Sequence, residues 1–257
     1  MVKTGKYLYC IIPCTAARTF DGVAIGGKDG TIHTVCHQGL AAVVSDSLVT
    51  QYQSTRQNMM AHEKVLETVM REFTLLPVRF GTVTDSASPV QDIRKLLASR
   101  SDEFKKLLRE MEDKVELGVK AFWRDEKAVF EEIVAENADI RRLRNSLSGK
   151  SSEATHFGRI RLGEMVKEAL ERKRAREGAR ILLPLRRVAH SVRENEVLGD
   201  RMIVNAAFLV DRARETEFDH AVSKLDEQLS ERVVFKYVGP APPYNFVSIL
   251  VNWKELR

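Results

Sequence analysis

A chain of 257 residues with 44% hydrophobic and 30% charged side chains has enough apolar material for one large or two small cores. Its 41 basic and 36 acidic residues leave a net charge of +5, intermixed along the sequence, which excludes the one-signed surface of a general polyanion binder. No apolar run reaches the roughly 18 residues of a membrane span. Lys3 and Lys6 lead only into a short segment ending at Pro13, so no signal peptide is expected. Cys10, Cys14 and Cys36 are odd in number and lack framework spacing, as in a chain of the reducing cytosol.

Tyr7 to Ile12 reads as a strand stopped by Pro13. Asp21-Gly22 and Gly26-Gly27-Lys28-Asp29-Gly30 read as turns, flanked by short β segments at Val23–Ile25 and Thr31–Cys36. A second clear strand is expected from Leu40 to Val44. Residues 55–73 predict an amphipathic helix with Met59, His62, Leu66, Val69 and Phe73 along one face and Ser54 as its N-cap. Leu75 to Val83 then reads as a central strand, with Leu76, Val78 and Phe80 on one face and Leu75, Pro77 and Arg79 on the other. Pro77 should open that strand or sit at a sheet edge, and Gly81 permits a bulge or a close backbone approach. Arg79 must keep its guanidinium wet or find a carboxylate or carbonyl. Pro89 suits the first turn of a further helix, whose apolar stripe from Ile93 to Met111 breaks near Ser101.

Val115, Leu117, Val119 and Ala121 alternate with Glu116, Gly118, Lys120 and Phe122, which predicts a half-buried strand. Helices are expected around Val129–Val134, over Asn137–Asn145 and from Glu153 to Gly178, with a loop at Ser146–Ser152 and an interruption at Pro184. Met202–Val210 reads as a strand, Glu215–Ser230 as a helix, Arg232–Val238 and Phe246–Val251 as the last two strands. The pattern predicts an α+β protein of two domains. The first, residues 1–111, is an N-terminal α+β domain. The second, 112–257, is a modified ferredoxin-like domain with an enlarged helical insertion.

The search for chemistry gives no catalytic residue and no metal or cofactor site. Cys10, Cys14, His33, Cys36 and His37 lack zinc spacing. The glycines at 26, 27 and 30 with Lys28 do not match a phosphate-binding loop, and a hairpin turn is the better reading. No nucleophile elbow is present to organise Ser45, Asp46, His62 or Glu63. His62 lies on the apolar stripe of its helix and reads as a core histidine with one hydrogen-bond partner; a polar partnership with Arg79 or a nearby carboxylate is the sharper alternative. The basic run Arg172, Lys173, Arg174, Arg176, Arg180, Arg186 and Arg187 is relieved by Glu168, Glu171 and Glu177 and has no interleaved aromatics. It reads as a solvated helix face, with a nucleic-acid-binding regulator as the alternative function and a hydrolase as a weaker rival.

Four segments spread over the chain resemble the gas vesicle protein F/L family (GvpF/GvpL). They are the Tyr7-Leu8-Tyr9 strand, the helix motif His62-Glu63-Lys64-Val65-Leu66-Glu67, the Leu76-Pro77-Val78-Arg79-Phe80-Gly81-Thr82-Val83 stretch, and Gly239-Pro240-Ala241-Pro242-Pro243-Tyr244-Asn245-Phe246. The resemblance implies an accessory, minor structural protein of gas vesicle formation, without enzyme activity or cofactor. It implies binding of the hydrophobic shell protein GvpA, contact with other gas vesicle accessory proteins, and no membrane or nucleic acid. It also implies residence in the cytoplasm before assembly and at the gas-facing vesicle surface afterwards. The density of motif residues points to His62, Leu66, Pro77, Arg79, Phe80 and Gly81 as the partner-binding candidates.

Overall fold

The computed structural model describes residues 5–27, 30–84 and 86–256, with backbone alone for 152–154 and 256. Lys3, Lys28 and Asp29, named above, lie outside them. The chain divides into two compact units, Met1–Glu116 with Pro240–Arg257, and Leu117–Gly239. The sequence reading assigns everything after residue 111 to one domain. Instead, the segment from Pro240 onward packs with the first unit. Its backbone is held there by reciprocal amide–carbonyl bonds, Arg79 to Ile249 (3.0 Å) and Ile249 to Pro77 (3.1 Å).

The first unit is built on a five-stranded sheet of order β2-β3-β4-β1-β5. Its strands are β1 (Gly5–Pro13), β2 (Thr19–Phe20), β3 (Ile32–His37), β4 (Leu40–Ser47) and β5 (Leu76–Pro77). β3 and β4 form a tight hairpin. Gln38 (φ 47°) and Gly39 (φ 84°) supply the paired positive φ angles of a two-residue primed turn, whose twist matches that of the strands it joins. β1 is central, antiparallel to β4 and β5. Tyr7 to Ile12 are all fully buried, so this strand is covered on both faces rather than one.

Helix α1 (Arg56–Met70) lays Val65, Leu66 and Val69 against Tyr7, Tyr9 and Ile12. Its N-cap is Thr55, not Ser54: the Thr55 hydroxyl accepts the Asn58 amide at 3.3 Å. Met59, expected on the inner face, is 51% exposed. Helices α2 (Pro89–Ser99) and α3 (Ser101–Met111), broken at Arg100, also contact β1 and bury Ile93, Leu97, Phe104 and Leu108.

The expected strand over 75–83 is much shorter. Only Leu76 and Pro77 pair as a strand, and Leu75 to Val78 are buried without alternation. Beyond Val78 the chain bows out at Arg79, turns at Gly81 (φ 83°), and returns to the edge of β1 through the Leu8 amide to Thr82 carbonyl (2.9 Å) and the Thr84 amide to Lys6 carbonyl (2.9 Å). Gly81 thus takes a left-handed conformation that favours glycine. Two other expected strands do not form. Val23–Ile25 is a turn-rich loop whose Ala24 and Ile25 still enter the core, and Phe246–Val251 makes only a single bridge, Ile249 to Val78.

The second unit contains a four-stranded sheet of order β7-β8-β6-β9. The strands are β6 (Lys114–Trp123), β7 (Ser191–Glu194), β8 (Met202–Asp211) and β9 (Val233–Ala241). Three helices, α4 (Glu126–Glu136), α5 (Ala138–Leu147) and α6 (Ser152–Val188), connect β6 to β7. One helix, α7 (Glu215–Leu229), connects β8 to β9. Order and connections are those of a ferredoxin-like sheet with an enlarged first crossover. β7 carries too little pattern to be seen in the sequence. Pro184, expected to interrupt, sits inside α6. Burial of Ile181, Leu182, Leu185 and Val188 carries the helix across a residue that lacks its amide donor. Sequence periodicity and structure agree on an α+β protein.

Candidate functional site

Two tyrosines of β1 organise the core of the first unit. The Tyr9 hydroxyl accepts the Ile25 amide (2.9 Å) and meets the Ser45 hydroxyl (2.9 Å). The Tyr7 hydroxyl accepts the Gly81 amide (3.0 Å) and meets Nδ1 of His62 (2.9 Å). Each phenol thereby anchors a loop that has no strand to hold it. Burial raises both phenols well above their ordinary pKa. His62 is 5% exposed and stacked on Tyr9, with ring centroids 5.6 Å apart, and desolvation lowers its pKa to about 4. It is a neutral core histidine whose hydrogen-bond partner is Tyr7; the alternative partnership with Arg79 does not occur.

Next to this hub lies a groove of about 310 Å³, lined on one side by Met59, His62 and Glu63 of α1 and on another by Pro77, Val78, Arg79 and Phe80. Tyr244, Val247 and Ser248 of the C-terminal segment close it. Four of the six sequence candidates, His62, Pro77, Arg79 and Phe80, therefore meet at one surface feature. Leu66, one turn further along the same side of α1, is fully buried and does not reach the lining, and Gly81 is held by Tyr7 outside it. The Arg79 side chain is exposed and makes no ion pair among the described residues. The groove is mainly apolar, with one uncommitted cation at its rim.

Glu116 sets the third wall. This carboxylate is 5% exposed and accepts the Asn245 amide at 2.8 Å and the Asn245 side-chain amide through its second oxygen. Desolvation raises its pKa, and the two donated hydrogen bonds only partly offset that. Burial likewise raises Tyr244, with Glu63 the largest of the carboxylates adding to it. Arg100 donates to the Leu250 carbonyl at 2.8 Å. Tyr244, Val247 and Ser248 were missed as lining residues in the sequence; the turn motif that contains Tyr244 was the available signal.

Part of the basic run of α6 is taken up within the second unit. Lys173, 4% exposed at its side chain, pairs with Glu132 and Glu136 at 2.8 Å each. Arg174 donates to the carbonyls of Met202, Gly199 and Asp200, and Arg186 pairs with Glu194. Arg232 forks onto Glu132 (2.8 Å twice) and reaches Glu177 at 2.7 Å, while the Trp123 indole donates to Glu177 at 2.8 Å. The hydrogen bonds from Arg232 hold Glu132 at a pKa of about 2. Glu177 is pushed up by burial, but Arg232 and Trp123 outweigh this and hold it low. Lys173, Arg174 and Arg186, so matched, are withdrawn from a polyanion, while Arg172, Arg176, Arg180 and Arg187 stay exposed. Among the described residues no three of His, Cys, Asp and Glu gather as a metal site, and no helix is long and apolar enough to cross a membrane.

The chain is a two-unit α+β protein whose first unit carries a mainly apolar groove. The model of the gas vesicle synthesis protein GvpL/GvpF family matches residues 5–248, and this chain belongs to that family. Gas vesicle protein F of a Streptomyces species is 33% identical over 87% of this chain and 90% of its own length. Gas vesicle protein L1 of Halobacterium salinarum is 25% identical over 95% of this chain and 91% of its own. The crystal structure of gas vesicle protein GvpF from an Anabaena species superposes with a TM-score of 0.80 at 28% identity, covering 96% of this chain and all of that one. These relatives indicate a role in gas vesicle formation and association with gas vesicles.

Proposed function

We propose that this chain is an accessory protein of gas vesicle formation that holds the hydrophobic shell protein GvpA during assembly, and that the groove beside His62 is where it does so. A shell subunit exposes apolar surface that aggregates before incorporation, and a partner that covers part of it keeps it deliverable. The observation that carries the reading is the combination at one place of exposed Met59, the apolar lining of Val78, Phe80 and Val247, and the unpaired guanidinium of Arg79. An amphipathic helix laid in such a groove buries its apolar anchors and meets Arg79 with an acidic residue. No catalytic step is assigned, and the gas-facing vesicle surface is the expected final location.

The test uses point substitutions in the full chain, because the groove draws on a segment far along the sequence and truncation would dismantle it. Met59→Lys with Arg79→Glu should reduce GvpA retention in a pull-down at least about tenfold, as expected for loss of central anchors. Lys224→Glu on α7 should leave it unchanged. Undiminished capture by the groove variant would end the proposal.

A further inference from the structure

Two of the three cysteines, distant in sequence, converge on one carbonyl. Cys14 stands just past β1 and Cys36 near the end of β3, and both are half-buried. The Cys14 thiol donates to the Ala16 carbonyl oxygen at 3.1 Å, and the Cys36 thiol donates to the same oxygen at 3.3 Å. The two sulfurs are therefore no farther apart than the sum of those distances. The sheet alone would not bring them so close. Pro13 and His37 both lie opposite Leu40, with β4 between their strands, and two strand spacings amount to roughly 9–10 Å. The loop after Pro13 closes the gap. It folds back onto β3, where the Arg18 amide donates to the Thr34 hydroxyl at 2.8 Å and the Thr34 amide to the Arg18 carbonyl at 3.0 Å.

We infer that Cys14 and Cys36 are a peroxide-responsive dithiol that closes into an intramolecular disulfide. One thiolate attacks a hydroperoxide oxygen; the O–O bond breaks, water or an alcohol leaves, and the sulfur becomes a sulfenic acid. The second thiol attacks that sulfur, the S–S bond forms, the S–O bond breaks and water departs. The two thiols give up two electrons and two protons in all, and the peroxide takes them up. The Ala16 carbonyl is the group that lies between the sulfurs. Residues 15–19 are exposed, so swinging it out gives up only two weak S–H···O hydrogen bonds. Cys10 serves as the internal control, since it is fully buried in β1 and burial raises its thiol pKa.

The full, reduced protein treated with hydrogen peroxide should lose the mass of two hydrogens and yield one cross-linked peptide joining Cys14 to Cys36. Dithiothreitol should reverse both changes. Amide exchange at Thr34 should slow several-fold in the oxidised form, because the loop that accepts its hydrogen bond is then tethered. Cys36→Ser should instead accumulate oxygen on Cys14 without losing hydrogen. Free alkylation of both thiols after peroxide, independent over-oxidation of each in the unaltered chain, or a cross-link to Cys10 or to another chain would overturn the inference.

Discussion

The Tyr7 hydroxyl stands 2.9 Å from Nδ1 of His62 and 3.0 Å from the Gly81 nitrogen, and bridges the two. The Gly81 amide can only donate, so the phenol accepts there, and it either donates to an unprotonated Nδ1 or accepts from a protonated one. The imidazole is neutral at ordinary pH, its pKa lowered to about 4 by desolvation. In the unfolded chain His62 titrates near its ordinary value of 6.5. Between these values the unfolded state binds more protons, so the His62 contribution is intact above pH 6.5 and is lost as the pH falls towards 4. The full span is worth about 3 kcal/mol. Denaturant midpoints should therefore decline across this window, and His62→Phe should flatten the decline. Tyr7→Phe should cost about 2 kcal/mol at neutral pH, because it leaves the Gly81 amide and Nδ1 of His62 without their shared partner.

The Glu116–Asn245 pair should control one wall of the groove without controlling the fold. Glu116→Gln keeps the shape and one acceptor oxygen but turns an amide donor towards one of the two donors of Asn245. The expected loss is about 1–2 kcal/mol. Hydrogen exchange should locate it: amides of Arg79 and Ile249, which knit the C-terminal segment to residues 77–79, should exchange faster, while β8 keeps its protection. Uniform acceleration in both units would show instead that Glu116 supports the whole chain.

What was legible in the sequence was whatever periodicity encodes. Helix α1, strand β8 and helix α7 follow from regular apolar spacing, and the break at Arg100 follows from the failure of one stripe. Phe246–Val251 looked like a strand because strand-like composition reports burial rather than pairing. Ile249 is indeed buried, but it has one bridge to Val78 and no ladder. The motif residues around Arg79 could be picked out, but not their divergence. Leu66 faces inward and His62 lines the groove because four residues of helix separate them by slightly more than a turn, and only the tertiary packing decides which edge of the stripe opens outward. Glu116 looked like the solvent side of a strand. Its partner is far along the chain, and nothing local announces it.

Arg232 should matter more than any other cation of the second unit. It is shared between Glu132 and Glu177, while Lys173 supports Glu132 from the other side. Arg232→Met leaves Glu177, whose side chain is only 14% exposed, with its indole donor alone. Because Arg232 and Glu132 are each about a third exposed, solvent screening limits the cost to about 1–3 kcal/mol. The Glu132 contribution is held above its ordinary pKa of 4.5 and fades as the pH falls from there towards 2. Urea titrations of the original chain and the variant should thus differ most at neutral pH and converge in acid. A constant difference down to pH 2 would mean that the lost packing of the arginine stem, not its charge, carries the effect.

Pro184 offers a test of how α6 tolerates its own sequence. The proline cannot donate to the carbonyl one turn earlier, that of Arg180, and its ring crowds that turn. The helix nevertheless continues, because Ile181, Leu185 and Val188 are buried on the far side of the cost. Pro184→Ala restores the donor and relieves the crowding without touching those side chains. A proline inside a helix costs roughly 3 kcal/mol relative to alanine, and only a part of this is recovered where the surrounding side chains are already packed around it. The variant should therefore be more stable by about 1 kcal/mol, read as a higher denaturant midpoint with an unchanged slope. A fall in stability would show that the backbone geometry imposed by Pro184 is what seats Leu185 and Val188, in which case the alanine withdraws them from the core.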